Sequence, residues 1–65
     1  MIRLELERRK RGIRLGELAG KASVSESLLS KVENGRRSLT PVVGQRVAMA
    51  LGIPKGKWET LRKRV

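Results

Sequence analysis

The shortness of one connection constrains this chain more than any other feature. Leu18, Ala19 and Ala22 recur at i, i+1 and i+4, the inner stripe of a two-turn helix over Leu15 to Ala22. Leu29 and Val32 mark the inner side of the next helix. Only Ser23 and Val24 lie between the two, followed by Ser25, a good N-cap for a third helix that stops at Asn34-Gly35. Ser23-Val24-Ser25-Glu26 also scans as a capping box, which would start that helix two residues earlier; Ser25 is the preferred start. So short a link makes the helices cross steeply, the geometry of a helix-turn-helix.

The remaining segments also read as helices. Ile2 to Arg11 is rich in helix formers and carries Glu early and Arg and Lys late, matching the helix dipole, before Gly12. Its apolar face is thin: Ile2, Leu4 and Leu6. Arg36 to Leu39 reads as a polar loop, and Thr40-Pro41 as an N-cap with proline at the first helical position. Val43, Val47, Ala50 and Leu51 then recur at helical spacing until Gly52. After Ile53-Pro54, Trp58 and Leu61 mark a basic final helix. No segment alternates at period two long enough to make a strand. The expected fold is an all-α bundle of five short helices, one domain over residues 1–65, with the helix-turn-helix core at about 15–34.

At 65 residues the chain is near the lower end of what one core stabilises alone, burying roughly 60% of its unfolded surface. Without cysteine, neither disulfides nor thiolate metal sites can supplement packing. His and Asp are also absent, which removes the usual metal ligands and general bases; no enzyme, no cofactor and no small-molecule ligand is expected. No apolar run approaches the ~20 residues of a membrane span, so a cytoplasmic, nucleoid-associated protein with no membrane partner is the expectation. Sixteen Lys and Arg against six Glu give a net charge of +10. A field that large calls for a polyanionic partner, and nucleic acid is the commonest; the bland alternative is a solvated basic surface.

The residues Gly12-Ile13-Arg14-Leu15-Gly16-Glu17-Leu18-Ala19, Ala22-Ser23-Val24-Ser25 and Leu29-Ser30-Lys31-Val32-Glu33-Asn34-Gly35 resemble the Cro/repressor-type (XRE) helix-turn-helix family. The resemblance continues through Pro41, Ala48 and Leu51-Gly52, covering roughly residues 4 to 61. It implies a five-helix, lambda-repressor-like DNA-binding domain. Two positions depart from the family. Leu15 stands where relatives carry Gln at the start of the second helix, so a polar group that would touch phosphate or base is missing there. Ser23 stands where relatives prefer Gly; if the left-handed turn is kept, a non-glycine residue is strained by roughly 1–2 kcal/mol.

At about 100° per residue, burial of Leu29 and Val32 points Ser27 and Lys31 outward as a ridge, with Glu26 in the first turn and Leu28 and Ser30 on the flanks. Relatives place the matching positions against base edges in the major groove, which makes Glu26, Ser27, Leu28 and Lys31 the base-reading candidates. Lys donates to guanine, Glu accepts from cytosine, Ser does either, and Leu28 suits a thymine methyl. For Glu26 the alternative, of equal weight, is that a carboxylate favours any helix N-terminus; for Lys31 the lesser alternative is a mobile phosphate contact. Arg14, Ser25, Ser30, Asn34, Arg36, Arg37 and Ser38 flank the reading helix and are the candidates for the DNA backbone. The family's backbone amides after the Glu-Asn-Gly phrase also bind phosphate.

Arg8 and Glu33 match a structural ion pair of the family's phage repressors. Trp58, the only aromatic residue, suits either the core or a dimer interface. The basic cluster of Lys55, Lys57, Arg62, Lys63 and Arg64 reads as a solvated end. Together these features predict a sequence-specific double-stranded DNA binder that regulates transcription, as a repressor. It would be a monomer or weak homodimer pairing on a pseudo-palindromic operator through its fourth and fifth helices. The alternative is an antitoxin or other interaction module in which the same domain also binds a protein partner. RNA or single-strand binding ranks below both, because one Trp gives no stacking platform.

Overall fold

Helix ends fall where the capping residues stand. The computed structural model describes all residues, 1–65, as five helical elements: α1 Arg3–Lys10, α2 Leu15–Ala22, α3 Glu26–Glu33, α4 Pro41–Ala50 and a 3-10 helix, Lys55–Arg62. Ser25 Oγ accepts the Leu28 amide hydrogen at 3.0 Å, which fixes the start of α3 and rules out the earlier one. Thr40 Oγ1 does the same for the Val43 amide at 3.4 Å, with Pro41 in the first turn of α4. Gly12, Gly35 and Gly52 follow three of the helices with positive φ.

The last element departs from expectation in being 3-10 rather than α. With three residues per turn, Trp58 and Leu61 lie on one line along it, and both are buried. Trp58 is 8% exposed and packs against Gly44 of α4, so closely that a Cβ at Gly44 would overlap its six-membered ring. The tryptophan therefore belongs to the core rather than to a free surface. Arg62 covers the ring from outside, its guanidinium carbon 5.5 Å from the centroid.

Thirteen buried apolar residues form one cluster at the meeting point of all five elements. Leu4, Leu18, Leu29 and Leu61 are fully enclosed, each contributing roughly 1.5–3 kcal/mol. Two expectations are corrected. Leu39, read as part of a polar loop, is 2% exposed and plugs the core between α3 and α4. Leu6 is only half-buried, while Glu7 on the same helix is buried instead. That carboxylate is stabilised by Arg11, whose Nη1 donates to Glu7 Oε1 at 2.7 Å and whose Nε donates to the Leu51 carbonyl at 2.9 Å, joining α1 to the end of α4.

The two ends of the chain meet. Ile2 and Arg64 form an antiparallel bridge, with the Arg3 amide donating to the Lys63 carbonyl at 2.7 Å and the Val65 amide to the Met1 carbonyl at 2.9 Å. No helix is long and apolar enough to cross a membrane.

Candidate nucleic-acid interface

The turn between α2 and α3 determines how α3 is presented. Ser23 adopts φ 56°, ψ 44°, the left-handed region, and the Val24 amide reaches back to the Ala19 carbonyl at 3.0 Å. That reversal closes α2 and drops Val24, half-buried, against the core. Arg46 of α4 donates to the Ser23 carbonyl at 3.2 Å, a tether that sequence spacing did not signal. At the start of α2, Arg14 stands at the N-cap and its amide donates to Glu17 Oε1 at 3.3 Å. An arginine side chain has no acceptor, so only this half of a capping box forms. Leu15 turns inward and packs on the core.

Along α3, Leu29 and Val32 are buried, and Ser27 and Lys31 are exposed on the opposite side. The flanking candidates are less free. Leu28 is half-buried against the core and lines a cleft with Thr40 and Val43. Ser25 Oγ is engaged in capping, and Ser30 Oγ accepts a long hydrogen bond, 3.5 Å, from Asn34 Nδ2. Glu26 folds its carboxylate over the first turn of α2: a Cβ at Gly16 would lie 2.9 Å from Glu26 Oε1. The N-terminal end of α2, with its unpaired amides, is a favourable place for that charge. Glu26 is thus presented beside Gly16 rather than extended outward like Lys31.

Arg36, Arg37 and Ser38 are all exposed in the loop after α3. The amides of Gly35, Arg36 and Arg37, expected as phosphate donors, are already used inside the fold. Gly35 donates to the Val32 carbonyl at 3.1 Å, and Arg36 and Arg37 both donate to that of Lys31, at 2.8 and 3.3 Å. They close the end of α3, as its unsatisfied carbonyls require. The Ser38 amide has no partner within the chain.

Behind this surface, Arg8 Nε and Nη2 grip the two oxygens of Glu33 at 2.8 and 2.9 Å, and Nη1 donates to the Ile13 carbonyl at 2.9 Å. The side chains are 12% and 7% exposed. The hydrogen bonds to Glu33 push the Arg8 guanidinium further above its ordinary range, so the pair stays charged. Glu7 is held below the usual carboxylate range, chiefly by the Arg11 hydrogen bond, against a burial cost that acts the other way.

The ion pairs divide the charge unevenly. Six of the sixteen basic side chains pair with a carboxylate: Arg3, Arg8, Arg9, Lys10 and Arg11, on or just after α1, and Arg62. The other ten have none, including Arg14, Lys31, Arg36 and Arg37, every basic residue around the outer side of α3. Glu5 and Glu7, placed at i, i+4 from Arg9 and Arg11, carried a readable signal of this ion-paired helix. The basic residues on and beside α3 therefore keep their full charge toward solvent. A family model described as a helix-turn-helix domain matches residues 2–61. No curated protein matches the chain.

Proposed function

The chain belongs to the helix-turn-helix domain family, and from that premise we propose that it is a transcriptional repressor that reads double-stranded DNA by laying α3 in the major groove. The observation that carries this reading is the exposed ridge of Ser27 and Lys31, rimmed by Arg14, Arg36 and Arg37 without ion-pair partners. A groove about 12 Å wide admits an α-helix, and Lys31 and Ser27 supply donors and acceptors to base edges. Glu26 accepts from cytosine at the groove edge from its place beside Gly16 at the start of α2. Leu28 offers only its outer edge to a thymine methyl. Arg14, Arg36, Arg37, Asn34, Ser25, Ser30 and Ser38 bear on the sugar-phosphate walls, through side chains and the free Ser38 amide.

With about five phosphates neutralised per protomer, log K falls against log salt with a slope of roughly −4 to −5. Selection of sites from random duplex DNA at fixed salt tests the reading and reveals operator and symmetry together. Binding that is equal for all sequences, or flat in salt, rejects it. Cytoplasmic, nucleoid-associated localisation follows from the same role.

A twofold pairing on a pseudo-palindromic operator would be weak, because Trp58 is spent in the core and two bodies of charge +10 repel. The second reading, a module that also binds a protein such as a toxin, draws on Val42 and Met49. They stand seven residues apart on one face of α4, 62% and 64% exposed. A partner co-purifying at 1:1 would favour it.

A further inference from the structure

A cleft separates the loop after α3 from the end of the chain. Arg37 and Ser38 form one wall, Arg62 and Arg64 the other, and Ile2 and Leu39 the floor. No carboxylate lines it. Arg37 and Arg64 have no ion-pair partner anywhere in the chain, and Arg62 has only a long, exposed ion pair of 3.6 Å with Glu59.

Three guanidinium groups around one opening repel one another unless an anion joins them. Their placement is not an accident of free side chains. The bridge to Ile2 holds the backbone of Arg64, and its guanidinium comes so close to Gly35 that a Cβ there would lie 2.8 Å from Nη2. Stacking on Trp58 orients Arg62. Ser38, which lines the same opening, adds uncharged donors: its hydroxyl and an amide with no partner within the chain. Arginine forks and a backbone N–H suit the tetrahedral oxygens of a phosphate. The cleft continues the wall begun by Arg36 and Arg37 at the C-terminal end of α3.

We propose that Arg62 and Arg64 close, with Arg37 and Ser38, a clamp on one phosphodiester of the DNA strand that passes the C-terminal end of α3. The basic end of the chain is then part of the interface rather than a solvated tail. The inference rests on the DNA-binding reading above.

The test uses the full chain, a labelled duplex obtained by site selection, and binding measured by anisotropy across a salt series. Arg64→Gln and the double variant Arg62→Gln/Arg64→Gln are compared with Lys10→Gln on α1, which removes one charge that does not line the cleft. The expected result is a salt slope shallower by about 0.9 for each phosphate no longer neutralised, with the selected sequence unchanged and partial recovery in Arg64→Lys. An unchanged slope in a variant whose circular dichroism and melting match the parent overturns the clamp and leaves the DNA-binding reading intact. So does an equal change in Lys10→Gln, which would reduce the effect to net charge. Failure of the unaltered chain to bind any duplex overturns both.

Discussion

Arg8 of α1 grips both carboxylate oxygens of Glu33, at 2.8 and 2.9 Å, across 25 residues of sequence. The pair ties the last turn of α3 to α1, the helix that carries most of the ion pairs. Removing one partner strands the other in a site that is about a tenth exposed. Glu33→Gln is therefore expected to cost about 3–5 kcal/mol in urea unfolding, since an unpaired buried charge is the dominant penalty. Arg8→Met/Glu33→Leu should lose far less than the single variants summed; additive losses would place the pair in solvent.

Ser23 carries φ 56° with a Cβ that the left-handed region disfavours. Ser23→Gly removes strain of roughly 1–2 kcal/mol, offset in part by the extra freedom of glycine in the unfolded chain. The expected net gain is about 0.5–1 kcal/mol, a melting temperature several degrees higher. A lower melting temperature would count against the turn.

Two helical glycines should respond oppositely to alanine. At Gly20 a new Cβ meets nothing within 4 Å, so Gly20→Ala should stabilise α2 by about 0.5–1 kcal/mol. At Gly44 the Cβ would overlap the Trp58 ring, and Gly44→Ala should cost about 1–3 kcal/mol or more. Trp58 reports the event directly: its emission should shift to the red as the ring is displaced toward water.

Lys31→Ala should relax preference at one base position, at about 1–3 kcal/mol of discrimination, with selection profiles as the readout. Uniformly weaker binding with an unchanged profile would make Lys31 a phosphate ligand instead.

Glu7 makes folding sensitive to acid. Its folded pKa lies below the unfolded value, so the unfolded chain binds the proton more readily and stability rises with pH through that interval. The contribution is complete above the ordinary carboxylate value of about 4.3 and is lost as pH falls through the lower folded value. Glu7→Gln should flatten the stability profile over that range while lowering stability at neutral pH. A profile of the same slope would remove Glu7 as the cause.

What was legible in the chain was local. The caps at Ser25 and Thr40, the stops at Asn34-Gly35 and Gly52, and the stripe of Leu18, Ala19, Ala22, Leu29 and Val32 depend on hydrogen bonds and periodicity within a few residues. So does the outward aim of Ser27 and Lys31, which follows from helical angle once the buried side is known. Leu39 was missed because a single leucine among polar residues has no period. The 3-10 form of the last helix was missed because spacing i, i+3 fits either helix.

The tertiary structure alone decided which of these groups are free to act. Residue types and spacing do not tell that the amides of Gly35, Arg36 and Arg37 are consumed by the end of α3, or that the Glu26 carboxylate lies over Gly16. Nor do they bring Arg64 beside Gly35 or Trp58 onto Gly44, pairs brought together by packing rather than by the local pattern. The sequence by itself determined the helices, the tight turn and a basic chain of this family. The packing determined where that charge remains unpaired, because pairing depends on distances that only the folded chain sets.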